Sequence, residues 1–343
     1  MSDCPLPIAS YDRVLLGHGS GGRLSAELVA RLFVPALGLD PAAPLEDAAI
    51  VDGGGRLAIT TDTFVVKPLV FRGGDIGRLA ICGTVNDLAV AGAEPRYITA
   101  AFVLEEGLAM AELERIARSM RQACSDSEVQ LVAGDTKVVE RGKGDGVFIT
   151  TTGVGIVPAG RALSIAAARP GDAILVSGPL GDHGVTILSM RDGTALETEL
   201  ASDVAPVIGL VRALLAAVPG VRCMRDPTRG GLASTLCELA EASRIGVRIV
   251  ERHIPFRDEV RAACELWGLD PLHMASEGRI VAVVPAGEAE RALAALRGHP
   301  LGREAAIAGE CVAEHPGLVT LASRTGGERI VAMLAGEPLP RIC

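Results

Sequence analysis

Short runs of β-branched residues alternate along the chain with longer amphipathic stretches rich in alanine and leucine. This alternation is typical of a fold with mixed α and β layers. In the first half, the pattern predicts strands at 56–60, 96–104, 129–133 and 146–157 and helices at 76–91 and 110–125. In the second half, it predicts strands at 172–177, 247–254 and 278–284 and helices at 202–218, 231–242, 257–267 and 288–296. We therefore expect a mixed α/β fold of the α+β class.

The stretch 158–170 carries a proline at each end and follows a strand-like run, so we place the junction between two domains there. This predicts an N-terminal domain at 1–157, a C-terminal domain at 158–333 and a tail at 334–343. Pro338 and Pro340 disfavour a helix and keep the tail extended. Ten extended residues reach at most about 33 to 36 Å. The thiol of the last residue, Cys343, is therefore accessible and can visit several sites.

Composition excludes several classes of function. The net charge is −9, with acidic residues spread along the chain, whereas a protein that binds duplex nucleic acid needs a basic face. Aromatic residues make up only 3% of the chain, too few to form stacking platforms for single strands. Mean hydropathy is high, at +0.35. However, no run of about 20 residues is free of charges and turn residues, so we expect no membrane span.

The chain has 8 cysteines, and none has the spacing of a zinc site or a redox pair. The N-terminus lacks the pattern of a secretory signal peptide. Reduced thiols in the cytoplasm are the expected state for such a chain. The same reasoning predicts neither a disulfide framework nor a structural zinc site.

A glycine-rich string at 18–22 precedes a helix-like run that starts near Leu24. Backbone N–H groups in such a loop can surround a phosphate. The residues concerned are Gly19, Ser20, Gly21 and Gly22. A flexible surface turn is the alternative, and the absence of a following Lys-Ser/Thr pair excludes the P-loop class.

Four aspartates occupy similar places near the ends of apolar runs: Asp47, Asp62, Asp87 and Asp135. Several carboxylates gathered at one point bind Mg²⁺, a hard cation that also carries phosphate oxygens. Each aspartate alone is more often a turn or N-cap residue, as we expect for Asp75 at the start of the helix at 76–91. The neighbouring amide of Asn86 adds an oxygen ligand and favours the metal site.

Two lysines are further candidates. Lys137 follows Asp135 by two residues, on the same side of an extended segment, where its charge can stabilise a transferring phosphoryl group or its amine can move protons. Lys67 is a weaker case of the same kind. An exposed lysine at a strand end is the simpler interpretation of each.

A second glycine-rich segment precedes the helix predicted at 231–242. Its N–H groups form an anion site, to which an arginine adds a phosphate fork. The candidate ligands are Asp226, Thr228, Arg229, Gly230 and Gly231. A simple N-capped helix start explains the aspartate and the glycines, but not the whole unit. Further along, Glu277 leads into a strand and is a candidate general acid or base, with a surface turn as the alternative.

Taken together, these motifs resemble the HypE family of hydrogenase maturation proteins, within the superfamily of aminoimidazole ribonucleotide synthetase and selenophosphate synthetase. The matching strings are HGSGG, TTDTFVVKPLVFRGGDIGRLAICGTVNDLAVAGAEPRY, VAGDTKVV, MRDPTRGGLA, ASEGR and the terminal PRIC. They run from residue 18 to residue 343, and PRIC separates this family from its relatives.

The resemblance implies two PurM-like domains, a homodimer built by the N-terminal domains, and ATP with Mg²⁺ in a cleft. It also implies that Cys343 receives a carbamoyl group from the carbamoyltransferase HypF and that the S-carboxamide is dehydrated to a thiocyanate. The cyanide would pass to the HypC–HypD complex, for the iron of [NiFe]-hydrogenase. By resemblance, Lys137 and Glu277 are the candidates for proton transfer.

Two alternatives remain open. The first is a related ATP-dependent enzyme similar to selenophosphate synthetase, although the residues around Cys4 lack the glycine and lysine expected there. The second is a nucleotide-binding carrier whose Cys343 only holds the group while a partner performs the chemistry.

Overall fold

The computed structural model describes residues 12–15, 28–38, 55–191, 198–333 and 342. Within these ranges the chain forms two α/β layered units, each built on its own main sheet. A π-helical turn at Val29–Phe33 continues into Val34–Ala36 and packs on the first unit, where Phe33 stacks on Phe102. The long strands and the helices between them confirm the expected mixed α/β class.

The first unit contains a four-stranded sheet with the order β1-β6-β4-β5. The elements are β1 (Arg56–Phe64), the short pair β2 (Val70–Phe71) and β3 (Gly74–Asp75), α1 (Ile76–Val90), β4 (Glu94–Glu105), α2 (Met110–Asp126), β5 (Gln130–Val139) and β6 (Val147–Val157). Strands β4 and β5 are parallel, and the other neighbours are antiparallel. As predicted, Asp75 caps α1, because its Oδ1 accepts the N–H of Arg78 at 3.0 Å.

Among the residues that the structure describes, helices cover only one face of this sheet. Buried residues alternate along β6 because one side of the strand packs on α1 while the other side faces outward. On the opposite, open face, large apolar side chains are left accessible. Ile59 is 67% exposed, Leu57 is 47% exposed and Val103 is 36% exposed. An apolar open face of this kind is typical of a surface that pairs with another protein surface.

The second unit contains a seven-stranded sheet with the order β13-β12-β9-β11-β7-β10-β8. Its strands are β7 (Asp172–Val176), β8 (Cys223–Arg225), β9 (Gly246–Val250), β10 (Val281–Pro285), β11 (Ala306–Val312), β12 (Val319–Ala322) and β13 (Glu328–Val331). Its helices are α3 (Asp182–Ser189), α4 (Ile208–Ala217), α5 (Gly231–Ser243), α6 (Asp258–Trp267) and α7 (Ala289–Arg297). All neighbouring strands are antiparallel except β9 and β12.

This sheet is buried on both faces, unlike the first. Every residue of β7 is buried, and alternate side chains belong to different cores. Leu175 packs into the core that continues into the first unit, whereas Ile174 and Val176 pack with α5. The second sheet therefore lies between two layers.

Five elements differ clearly from the sequence prediction. Two strands are longer than predicted, since β1 continues past residue 60 to Phe64 and β5 continues past residue 133 to Val139. Three elements are shorter than predicted. The helix expected at 202–218 begins only at Ile208, because the preceding segment is extended and bonded to the first unit. The N–H of Ser202, for example, donates to the carbonyl of Arg72 at 2.9 Å. The strand expected at 278–284 begins at Val281, and the strand expected at 247–254 ends at Val250. In addition, α3, β8 and β11 to β13 were not predicted, because each is short or has no clear period.

Within the part of the chain that the structure describes, no helix has the length and apolar character to cross a membrane.

Candidate functional site

The two units meet at an extended segment, 200–207, that runs against α1. Asn86 on α1 is 1% exposed, and its side-chain amide is fully used by this junction. The Nδ2 group donates to the carbonyls of Ala205 and Glu277, each at 3.1 Å, and Oδ1 accepts the N–H of Val207 at 2.8 Å. The structure thus gives Asn86 a structural role between the two units, and its predicted role as a ligand oxygen stays a prediction.

Three carboxylates gather at this junction, two from the first unit and one from the second. Asp62 lies on β1, Asp87 near the end of α1, and Asp226 in the loop between β8 and α5. Two threonine hydroxyls support them: Thr60 donates to Asp87 at 2.9 Å, and Thr84 donates to Asp62 at 3.2 Å. The structure therefore brings together two of the four aspartates predicted as a group, and adds Asp226.

Burial and mutual repulsion raise the pKa values of this cluster. The pKa of Asp87 is raised to about 7, first by burial and then by the charges of Asp226 and Asp62. The pKa of Asp226 is raised to about 6, mainly by burial. Carboxylates held this close favour either a shared proton or a bound cation.

Glu277 lies at the centre of the junction and is 2% exposed. Its backbone is held on both sides, because its N–H donates to Oδ1 of Asp203 at 3.0 Å and its carbonyl accepts from Asn86. Next to it, a Cβ on Gly278 would collide with the carbonyl oxygen of Asp203, so only glycine allows this close approach. The loop that carries Glu277 is therefore fixed in position.

The backbone of Glu277 is fully hydrogen-bonded, but its side chain is not. Its Oε1 atom is buried and has no hydrogen-bond partner among the described residues. Burial raises the pKa of Glu277 well above its ordinary value, and the charges of Asp226 and Asp203 raise it further. A fixed, buried carboxyl group with an unused oxygen is suited to accept or donate a proton.

Two glycines with positive φ lie where the loop that carries Asp226 enters α5. Gly230 has a φ of +77° and Gly231 a φ of +59°, and a Cβ at Gly231 would come within 2.5 Å of the carbonyl oxygen of Leu272. Gly230 is the N-cap of α5, with no side-chain cap, so Asp226 does not cap this helix. The carboxylate of Asp226 is therefore available to the acidic cluster with Asp62 and Asp87.

The next two residues of this loop stand at the start of α5. The side chain of Arg229 is exposed and forms no ion pair with the described residues, and Thr228 is half-buried. The N–H of Gly231 donates to the carbonyl of Thr228 at 2.9 Å. An uncapped helix start with an unpaired guanidinium nearby provides the elements of a phosphate site.

Part of the tail is docked in the second unit. Ile342 is 3% exposed, and its carbonyl oxygen lies 2.9 Å from Nε2 of His183 on α3. The other ring nitrogen, Nδ1, lies 2.7 Å from the hydroxyl of Ser202. In the sequence, His183 does not stand at the spacing of a metal ligand from any other candidate ligand, so no local pattern pointed to it.

Asp135 and Lys137 are not part of this site within one copy of the chain. They pair with each other at 3.1 Å and are mostly exposed, on the open face of β5. Asp62 lies on the helix-covered face of β1, three strands away, which is about 14 Å at ordinary strand spacing. The predicted four-aspartate group therefore does not form in one chain, and the described residues contain no cluster of three potential metal ligands with metal-site geometry.

The remaining predicted residues are placed as follows. Lys67 is exposed and pairs with Asp145 at 3.0 Å. The glycine-rich loop with Gly19, Ser20, Gly21 and Gly22, together with Asp47 and Cys343, lies outside the described residues. Their predicted roles are unaffected by this geometry.

Comparison with known proteins shows to which family the chain belongs. The model of the AIR synthase related protein family matches the chain in two parts, its N-terminal domain at 45–157 and its C-terminal domain at 169–321. The carbamoyl dehydratase HypE of Azotobacter vinelandii is 55% identical over 327 residues, covering 95% of this chain and 96% of its own. The chain belongs to the HypE family of carbamoyl dehydratases, which act in hydrogenase maturation.

Solved structures of the HypE family agree with this assignment. A hydrogenase maturation protein HypE in complex with ATP superposes with a TM-score of 0.91 at 45% identity, covering 96% of this chain and 99% of that one. A HypE–HypF complex matches with a TM-score of 0.79 at 42% identity, covering 91% of this chain and all of its counterpart (100%). The fold and the two-domain order are thus those of the family.

Proposed function

We propose that this chain uses ATP and Mg²⁺ to dehydrate an S-carboxamide on its own Cys343 to a thiocyanate. The observation that carries the proposal is the docking of Ile342, the neighbour of Cys343, against His183 and Ser202. Ser202 directly precedes Asp203, the residue that holds the backbone of Glu277. The tail tip and the buried acid are therefore attached to the same short segment.

The acidic cluster fits a divalent cation. Asp62, Asp87 and Asp226 crowd together, and the pKa of Asp87 is raised to about 7 by burial and by the other two charges. Mg²⁺ prefers oxygen ligands and would relieve this repulsion, and when bound it neutralises phosphate charge. We infer that these three residues hold the metal once their side chains move together around it, since as they stand the described residues lack metal-site geometry. Asp47 is a further candidate.

The phosphates of ATP fit the start of α5. Gly230 is the N-cap of α5 without a side-chain cap, and Arg229 and Thr228 stand beside it. The N–H of Gly231 donates to the carbonyl of Thr228, so the following N–H groups of the first turn, which have no intrahelical partner, are the ones proposed to bind phosphate. The known ATP complex of a HypE relative supports this choice of nucleotide. We propose the loop at 18–22 and Lys67 as further contacts on the basis of the sequence pattern.

The chemistry needs ATP because an amide oxygen is a poor leaving group. Transfer of the γ-phosphoryl group to that oxygen converts it into phosphate, which departs readily. Loss of two protons from the nitrogen and cleavage of the C–O bond then leave a C≡N group on sulfur. The overall products are ADP, phosphate and the thiocyanate, and no oxidant or reductant is consumed.

Glu277 is the proposed proton acceptor for the amide nitrogen. Its raised pKa makes its carboxylate a stronger base than an exposed glutamate, and Oε1 has no competing partner among the described residues. The chain supplies the substrate on its own tail, so the reaction is intramolecular and gains from proximity.

Lys137, with its neighbour Asp135, would enter the site from a second copy of the chain. Both residues lie on the open face of β5, on the same side of the sheet as the exposed Ile59 and Leu57. We propose a homodimer in which these open faces meet. Because β1 and β5 are the two edge strands, we propose that Lys137 passes the edge of the partner's sheet to reach its site, where the ammonium group would stabilise the transferring phosphoryl group.

We further propose that HypF loads the carbamoyl group and that the HypC–HypD complex accepts the cyanide. The solved HypE–HypF complex supports the first partner. Loading needs a nucleophilic thiol, and the described cysteines are poor candidates: burial raises the pKa values of Cys82, Cys124, Cys223, Cys264 and Cys311 to about 12. The six cysteines among the described residues are free thiols, which is typical of a reducing compartment, so we propose that the reaction takes place in the cytoplasm.

The test is intact-mass spectrometry of the full chain with ATP, Mg²⁺, carbamoyl phosphate and HypF. We expect a carbamoyl adduct, followed by the loss of one water. Cys343→Ala should abolish both masses, whereas the matched control Cys4→Ala should keep both. An adduct that persists in Cys343→Ala would falsify the choice of thiol. An adduct that never loses water with ATP present would instead favour the carrier alternative.

A further inference from the structure

His183 is a buried histidine that the proposed chemistry does not use. It lies in the first turn of α3 with 0% exposure, and both of its ring nitrogens have partners. Phe71 of the first unit packs edge-on against the ring, with 5.4 Å between the ring centroids. The ring is therefore fixed in orientation where the tail meets both units.

The hydrogen bonds determine which nitrogen carries the proton. The carbonyl of Ile342 can only accept, so Nε2 must donate to it. If the ring is neutral, Nδ1 is an acceptor and the Ser202 hydroxyl donates to it. That hydroxyl oxygen in turn accepts the N–H of Val204 at 3.1 Å. The chain of donors runs in one direction and orients Nε2–H toward the tail.

The oxygen that His183 binds belongs to the peptide bond between Ile342 and Cys343. Consecutive Cα atoms are about 3.8 Å apart across a trans peptide, so fixing this carbonyl confines the backbone of Cys343. The side chain of Ile342 is itself buried, within the large apolar core that also contains Val185 of α3. One hydrogen bond and one buried side chain thus hold the end of the tail.

We propose that His183 is a positioning residue that latches the C-terminal dipeptide in the site. This inference rests on the proposed function, in which Cys343 is the loaded thiol. Loading by a second protein requires the thiol to leave the junction, whereas dehydration requires it to stay near Glu277. The latch therefore favours dehydration and opposes loading.

Loss of the latch should therefore slow dehydration without slowing loading, a combination that general destabilisation of the protein would not produce. In His183→Ala, we expect dehydration in a single turnover to slow by about fivefold, the effect of losing one ordinary hydrogen bond. Alkylation of Cys343 by iodoacetamide should accelerate by a similar factor, and loading should not slow. General destabilisation would lower both enzymatic steps together.

The experiment uses the full chain in a Cys4→Ala background and follows the Cys343 peptide by mass spectrometry. His183→Gln keeps an N–H donor at the place of Nε2 and should restore protection, whereas His183→Asn cannot reach the carbonyl and should resemble alanine. Ser202→Ala keeps the ring but removes the donor to Nδ1, so we expect an intermediate alkylation rate. The matched control is His299→Ala, a half-buried histidine of the same domain whose ring bonds the N–H of Leu301.

The results separate this inference from the proposed function. If His183→Ala and His183→Asn alkylate at the wild-type rate, the latch is wrong even when the thiocyanate forms as proposed. If glutamine and asparagine behave alike, the hydrogen bond to Ile342 is not the cause. If the alkylation rates follow the prediction but Cys343 is never carbamoylated, the latch stands and the proposed function fails.

Discussion

Asn86 of the first unit and Glu277 of the second are joined by a hydrogen bond of 3.1 Å from the Nδ2 group to the carbonyl oxygen. The bond is buried and links residues that are 191 positions apart. It fixes the loop of the proposed proton acceptor to the helix that carries Asp87. The same asparagine that looked like a ligand in the sequence therefore acts as a joint between the two units.

Replacing this joint should destabilise the protein. Asn86→Ala leaves two carbonyls and the N–H of Val207 without their partner, and we expect the free energy of unfolding to fall by about 2–4 kcal/mol. Urea denaturation measures the change. The control Gln122→Ala removes an exposed side-chain hydrogen bond to Asp126 and should cost about 0.5 kcal/mol or less. A stable Asn86→Ala that only loses ATP affinity would favour the ligand interpretation.

The acidic cluster should make stability depend on pH in a defined direction. Burial and the neighbouring carboxylates raise the pKa of Asp87 to about 7 in the folded chain, above its ordinary value of 3.8. Between these values only the folded state holds the proton, so its stabilising contribution is lost as pH rises toward and through 7. One such group changes the free energy of unfolding by at most about 1.4 kcal/mol per pH unit.

We therefore expect the metal-free protein to lose thermal stability from pH 6 to pH 8, and Asp87→Asn to reduce this slope. Added Mg²⁺ should stabilise the wild type more at pH 8 than at pH 5.5, because the cation competes with protons. The control Asp126→Asn lies outside the cluster and should keep the slope. An unchanged slope in Asp87→Asn would contradict the proposed crowding.

Glu277→Gln should separate stability from activity. Without a bound cation, burial and neighbouring carboxylates raise the pKa of Glu277 well above the ordinary value, so its carboxyl group is neutral and glutamine has the same shape and charge. Mg²⁺ on the acidic cluster would offset those negative charges and release the carboxylate as a base. We expect an equal or higher melting temperature, retained carbamoyl loading, and dehydration slower by about 10²-fold or more. Calorimetry and intact-mass kinetics test the two halves. A large loss of stability would mean that the carboxylate has a structural partner.

The open face of the first sheet should form the homodimer contact. Ile59→Lys places a charge on its most exposed large apolar residue, and we expect a shift from dimer to monomer in light scattering coupled to size-exclusion chromatography. Ile330, 62% exposed on β13 of the other sheet, gives the matched control Ile330→Lys. Dissociation by both variants, or by neither, would disagree with the proposed interface.

A mixed dimer tests whether Lys137 acts on the partner's site. Lys137→Ala and Glu277→Gln should each be inactive in dehydration as homodimers. If the lysine acts across the interface, co-expressed heterodimers contain one complete site and recover about half the wild-type activity, following the logic of symmetric assemblies. Dehydration should recover only on the tail of the copy that retains Glu277. No recovery in purified heterodimers would place the lysine's action within its own copy.

Much of this protein was determined by local sequence. Alternating patterns predicted the long strands β1, β4 and β6, and a helical period predicted α2, because burial on one face imposes a period on the sequence. The helix α1 is buried on nearly all sides, so the length of its apolar run indicated it. The capping of α1 by Asp75 and the glycine-rich start of α5 were equally local. The motif order also determined the family, since those strings extend along nearly the whole chain.

Only the tertiary structure decided which polar side chains meet. Asp62, Asp87 and Asp226 come from a strand, a helix and a distant loop, whereas Asp135 projects from the opposite face and the far edge of the sheet. Likewise, the contact of His183 with Ile342 joins positions 159 apart. Sequence spacing gives the face of an element, but the packing of the two units decides which faces share a site.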